Sequence, residues 1–224
     1  MKLPVTRSIW PVLLMLPLFT LVLPGCFPVV ATGMVAGAMS ISDRRTTGAQ
    51  AEDQAIELKT ASRLRDRFSS DKAISTSVVS FNRTALITGF APDAATKLEI
   101  GEIVAKVENV RQVVNEIQLS GPAGTVTYTQ DVYLTTRVKL TLLDHRSINA
   151  NSIKVVTESS TVYLMGLVTE KEANEVASLT SRVPGVRRVV RAFEIISEGQ
   201  RKAIDRAVEG GGPPPETRGQ NPRP

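Results

Sequence analysis

Apolar positions along the middle of the chain follow two rhythms, and the order of those rhythms occurs twice. In the first copy, Ile56, Thr60 and Leu64 recur every four residues between Glu52 and Phe68, the spacing of one helical face. Val78 to Phe81 and Ala85 to Thr88 are short β-rich runs around an Asn82-Arg83 turn. Asp93 is placed to cap a helix running to Val107, and Val113 to Leu119 alternates as a strand. In the second copy, Leu134, Val138 and Leu142 form the helical stripe of a segment from Asp131 to Leu143. Ile153 to Thr157 and Val162 to Met165 form its hairpin, Glu170 to Arg182 its second helix and Val189 to Ile196 its last strand. Each copy predicts helix, strand, strand, helix, strand, hence an α+β fold with a three-stranded sheet packed on two helices.

The copies also match in wording. Asn82-Arg83-Thr84-Ala85-Leu86-Ile87-Thr88-Gly89 answers to Ser159-Ser160-Thr161-Val162-Tyr163-Leu164-Met165-Gly166, and Val107 to Val114 answers to Val183 to Val190. Two copies at this spacing mean tandem domains rather than a solenoid. We place domain 1 at residues 51–119, a linker with Gly121, Pro122 and Gly124 at 120–130, and domain 2 at 131–197. Gly89 and Gly166 are read as ending their second strands, where a glycine permits a positive φ or a close chain approach. Residues 198–224 form a C-terminal extension, rich in Gly and Pro from Glu209 onward, and are expected to be a disordered tail.

The N-terminus changes this picture. Lys2 and Arg7 precede an apolar run from Ile9 to Leu23, broken by Pro11 and Pro17 and shorter than the roughly 20 residues a bilayer span needs. It ends on Leu23-Pro24-Gly25-Cys26, which resembles a bacterial lipobox. Residues 1–25 are therefore read as a lipoprotein signal peptide, with a diacylglycerol and an N-acyl chain on Cys26. Residues 26–50, with several glycines, are read as a flexible spacer. A free thiol in an ordinary signal or uncleaved anchor is the alternative.

Cys26 is the single cysteine, so once it is lipidated no thiol remains for a disulfide, a nucleophile or a metal. The net charge is +5, or about +3 once Lys2 and Arg7 leave. That is a mild bias toward anionic surfaces, too small to imply nucleic acid, and the 4% aromatic content offers no stacking platform. His145 is the only histidine; a solvated loop position is the plain reading and a base or pH sensor the sharper one. Ser147 lacks a nucleophile-elbow context, the acidic residues lack metal spacing, and Gly33, Gly37 and Gly89 do not form a phosphate-cradling loop. No enzyme, metal or cofactor is expected. Arg187, Arg188 and Arg191 cluster at the last strand, as a solvated edge or as a second anionic contact.

With the repeat, the lipobox and the closing phrases in place, the chain resembles the BON-domain proteins, in particular the dual-BON outer-membrane lipoproteins. The resemblance runs from Cys26 to about Ile196, includes Asp43 to Gln50, and is strongest in Thr135-Thr136-Arg137-Val138, Met165 to Glu170 and Pro184 to Val189. It implies an αββαβ fold for each domain, no catalysis, and binding of anionic phospholipid (phosphatidylglycerol or cardiolipin) at the periplasm-facing leaflet of the outer membrane, in support of envelope integrity. Phe27 after the anchor cysteine implies outer-membrane sorting. Tyr133 stands where the family suggests Trp, and the Gly/Pro tail is an addition.

The first helix of domain 2 offers a matching surface. Leu134, Val138 and Leu142 take the inner face, leaving Tyr133, Arg137 and Leu140 on an outward stripe, with Thr136 and Lys139 alongside. An aromatic, a leucine and cations together suit a lipid headgroup region. The alternative is that Tyr133 and Leu140 pack against domain 1 or the linker. Arg63, Arg65 and Arg67 in the first helix of domain 1 come without such an aromatic. The rival functions are a protein-binding adaptor to the outer-membrane assembly machinery and an osmotic-stress periplasmic chaperone.

Overall fold

The computed structural model describes residues 43–119 and 128–215. The expected signal peptide, the candidate lipidation site Cys26, the expected spacer up to residue 42, residues 120–127 and those beyond Pro215 lie outside them. Domain 1 comprises α1 (Thr47–Phe68), β1 (Ser75–Phe81), β2 (Thr84–Ala91), α2 (Ala94–Ala105), β3 (Gln112–Asn115) and β4 (Gln118–Leu119). Domain 2 comprises α3 (Tyr128–Leu143), a 3₁₀ turn (Ala150–Ser152), β5 (Ile153–Glu158), β6 (Thr161–Val168), α4 (Glu170–Ser181) and β7 (Arg188–Ile195). A further helix, α5 (Glu198–Glu209), follows. The fold is α+β, with β2 central in the first sheet and β6 in the second, each pairing antiparallel on one side and parallel on the other. The strand expected from Val113 to Leu119 is interrupted, and its second part, β4, pairs with β2 beyond β3.

Each hairpin closes on two non-glycine residues with positive φ: Asn82 (48°) and Arg83 (67°), Ser159 (51°) and Ser160 (61°). Two-residue hairpin turns need this conformation, and it costs an L-residue about 1–2 kcal/mol. The compensation comes from the first helix of each domain. Asp53 accepts from the N–H groups of Asn82 and Arg83 at 2.8 and 2.7 Å, and Asp131 from those of Ser159 and Ser160 at 2.9 Å each. Both aspartates stand three residues before the apolar stripe of their helix, so the repeat extends to the device that holds the turn.

β2 and β6 are sandwiched. Ala85, Ile87 and Ala91 of β2 join Leu64, Ile100, Val104 and Ile117 in the core under α1 and α2. Val162, Leu164 and Val168 of β6 join Leu134, Val138, Leu142 and Val176 under α3 and α4. The opposite faces of the sheets meet each other through Phe81, Leu86, Tyr163, Met165 and Leu167, with Ile204 of α5 buried among them. Every residue of β6 is buried, which is why its apolar run does not alternate. Gly89 and Gly166 lie inside their strands rather than ending them. Gly89 has a φ of +117°, and a side chain at Gly166 would come within 2.7 Å of the Ser152 carbonyl oxygen.

Three boundaries differ from the sequence-based expectation. Residues 43–50 are not a flexible spacer: Thr46 caps α1 through its hydroxyl, and Arg44 is only 3% exposed. Residues 128–130, assigned to the linker, begin α3. Residues 198–209 are not disordered but form α5, started by a capping box between Ser197 and Gln200 and held by Ile204, which loses all solvent contact.

Ion pairs finish the joint between the domains. The Arg44 guanidinium bonds both oxygens of Glu172 at 2.8 and 2.9 Å, Asp205 at 2.9 Å and the Leu167 carbonyl at 2.8 Å. Arg45 bridges Asp43 and Asp53 and stacks over the Phe81 ring at 4.1 Å. Lys154 reaches Glu57 at 3.3 Å, and Asn82 donates to Glu194 at 2.6 Å.

Candidate functional site

α3 enters domain 2 with Asp131 fastened to the hairpin turn, which fixes the helix in rotation as well as position. Leu134, Val138 and Leu142 then face the sheet and are at most 2% exposed. The opposite side carries four large apolar side chains in water: Val132 (47% exposed), Tyr133 (60%), Leu140 (55%) and Leu143 (57%). The sequence stripe found Tyr133 and Leu140 and missed Val132 and Leu143. Their spacing carries the signal, since Val132, Thr136, Lys139 and Leu143 make the adjoining row at intervals of four, three and four.

The polar members of this face are arranged around the tyrosine. Arg137 lies one turn further on, its guanidinium 5.7 Å from the Tyr133 ring centre and its Nη1 3.4 Å from the phenol oxygen. Lys139 is exposed, and no partner for it is found among the described residues. Thr136 turns its hydroxyl back to the Val132 carbonyl at 3.0 Å, so it serves the helix rather than reaching outward. The face is thus apolar and amphipathic by turns, with an aromatic flanked by cations and no carboxylate within the stripe.

The other residues singled out in the sequence fall elsewhere. Arg188 bonds Glu116 of domain 1 at 2.6 Å, and Arg191 bonds Glu170 and Asn174 at 2.9 Å each. Two of the three arginines at the last strand are therefore engaged within the protein, and Arg187 stands exposed. His145 is 46% exposed, with Nδ1 3.1 Å from Ser147 Oγ; that hydroxyl donates to Glu175, not to the imidazole. Among the described residues no three His, Cys, Asp or Glu side chains are grouped to hold a metal, and no helix is long and apolar enough to cross a membrane.

Glu194 of β7 is a carboxylate at odds with its surroundings. Burial pushes its pKa up, against the hydrogen bond from Asn82 and the charge of Arg111, and its second oxygen has no partner. A folded pKa above the unfolded one makes the ionised form a liability in the native state. Stability is then lost as pH rises from the ordinary carboxylate range through the folded pKa. Glu194→Gln is expected to remove that loss, giving a higher urea midpoint than the parent at pH 7 and an equal one at pH 4.

Comparison with known proteins follows the same division of the chain. The BON domain model matches residues 52–121 and 130–197. The chain is 30% identical to the outer membrane lipoprotein DolP of Haemophilus influenzae over 79% of this chain and 92% of that one. It is 27% identical to the 21 kDa hemolysin of Actinobacillus pleuropneumoniae over 69% and 79% of the respective chains. Among solved structures, CdsD, a structural protein of the type III secretion system of Chlamydia trachomatis, overlaps 67% of this chain and 68% of its own at 14% identity and a TM-score of 0.26. With two matching segments that coincide with the two αββαβ units, the chain belongs to the BON-domain family.

Proposed function

We propose that this protein is a non-enzymatic outer-membrane lipoprotein, anchored by acyl chains on Cys26, facing the periplasm and binding anionic phospholipid through α3 of domain 2. The observation that carries the reading is the outward face of α3, where Val132, Tyr133, Leu140 and Leu143 stand exposed between Arg137 and Lys139. Exposed singly, such side chains are ordinary; four on one helix are a binding face. A tyrosine seats its ring at the headgroup level, the leucines reach the acyl boundary, and the cations meet phosphate, each contributing about 1 kcal/mol near an anionic surface. The similarity to DolP, named as an outer membrane lipoprotein, supports the localisation.

NMR titration of residues 27–224 with phosphatidylglycerol micelles, against neutral micelles, tests this reading. Shifts confined to Val132 through Leu143 and to the anionic lipid are expected. The triple change Tyr133→Ala, Arg137→Glu and Lys139→Glu should abolish them; unchanged binding by that variant refutes the assignment.

A further inference from the structure

β1 is an edge strand. Antiparallel pairing that closes on Phe81 and Thr84 around a two-residue turn alternates along the strand. Ser75, Ser77, Val79 and Phe81 therefore direct their N–H and C=O groups at β2, and Thr76, Val78 and Ser80 direct theirs away. The outward groups of Ser80 are occupied: its N–H donates to Glu57 at 2.8 Å and its carbonyl accepts from Lys154 at 3.4 Å. Those of Thr76 and Val78 border a groove of about 390 Å³ between the C-terminal half of α1 and the strand edge. Its apolar lining is Leu64, Phe68, Ile74 and Val78, and its rim carries Glu57 and Arg65.

The charges on this rim are unequal. Glu57 is neutralised by Lys154, and Arg67, which stacks on Phe68, is paired with Glu99. Arg65 has no carboxylate partner among the described residues. Domain 2 has a groove at the matching place, where Ile153 corresponds to Thr76, Leu142 to Leu64 and Leu143 to Arg65. It is about 190 Å³, lined in part by Ala150 and Asn151 of the 3₁₀ turn. Lys139 lines the domain 2 groove and is likewise without a partner among the described residues, so what sets domain 1 apart is the wider opening, with Arg65 as its rim cation.

We propose that domain 1 receives an extended, acidic peptide segment of a partner protein in this groove. The segment adds as a strand on the edge at Thr76 and Val78, sets a carboxylate on Arg65 and lays an apolar side chain over Leu64, Phe68 and Ile74. Strand addition supplies backbone partners that an acyl chain could not offer. A second copy of this chain is a poor occupant, because two-fold pairing of β1 with β1 brings the two Arg65 side chains into one neighbourhood. This site is independent of the lipid face on α3 and gives the two domains separate ligands.

The test uses the full chain in neutral detergent with two probes, the capped pentapeptides Val-Asp-Val-Asp-Val and Val-Lys-Val-Lys-Val, read by amide shifts and hydrogen exchange. The acidic peptide should shift and protect the Thr76 and Val78 amides and bind about three- to fivefold more tightly than the basic one. Arg65→Glu should invert that preference. Thr76→Pro, which deletes an outward donor and no ladder hydrogen bond, should weaken acidic binding while the β2 amide spectrum stays unchanged. No shift with either peptide, equal binding of the two, or a concentration-dependent dimer that protects the same amides would overturn the proposal.

Discussion

Replacing Arg44 by alanine is expected to lower the unfolding free energy by about 3–5 kcal/mol and to release α5. The side chain is 3% exposed, and its fork joins a carboxylate on α4, a carboxylate on α5 and a β6 carbonyl. Its removal leaves Glu172 half-buried with only the Thr169 N–H and the charge of Arg201 to offset the cost. In the parent, burial pushes the Glu172 pKa up. The hydrogen bonds from Arg44 and Thr169, helped by the charges of Arg44 and Arg201, outweigh that and hold it below the usual range. A lowered folded pKa contributes stability above the unfolded value that is lost as pH falls through the folded one. The variant should therefore lose more stability at pH 7 than at pH 3. Urea unfolding at both values checks the sign, and proteolysis between Ser197 and Glu209 checks the loosening of α5. Arg63→Ala, which removes an exposed donor to the Lys106 carbonyl, is the control and should change little.

Asp53→Ala should cost a similar amount, about 3–5 kcal/mol, and roughly twice the loss for Asp131→Ala. The two aspartates do the same work on their hairpins, but Asp53 does more besides. It also accepts from Ser80 Oγ at 2.7 Å and pairs with Arg45 at 2.8 Å, so its loss strands a buried hydroxyl together with the two turn N–H groups and leaves the half-buried Arg45 with Asp43 alone. Denaturant unfolding of the two single variants measures the ratio. Equal losses would mean that Arg45 and Ser80 find other partners and that the turn alone sets the cost.

The repeat made most of the architecture legible. Once Ile56, Thr60 and Leu64 are aligned with Leu134, Val138 and Leu142, the helices and the hairpin of each copy follow from period and turn chemistry. Tyr133, Arg137 and Leu140 were legible for the same reason, because a buried stripe defines the opposite one. What escaped were features that depend on distant partners. Arg44 meets carboxylates 128 and 161 positions away, and no local pattern distinguishes it from a solvated charge in a small-residue segment. α5 is mostly polar, so its composition reads as a tail; Ser197 with Gln200, followed by Ala203, Ile204, Ala207 and Val208, is the signal that marks it as a one-sided helix. The strand β6 carried a further sign: an apolar run on both faces belongs to a strand covered twice, by α3 and α4 on one side and by the first sheet and α5 on the other.

The burial of Arg44 sets a length. With acyl chains on Cys26, the covalent leash ends at Arg44 rather than at the domain boundary near residue 51. Its fully extended span is then roughly 60 Å instead of about 85 Å. On the proposed anchoring, a shorter tether would confine α3 to a smaller shell above the bilayer, and the effective concentration of headgroups around it would rise accordingly, toward the millimolar range. Contacts too weak to hold the free domains on a vesicle would be saturated on the tethered protein, so affinities measured without the anchor understate occupancy with it.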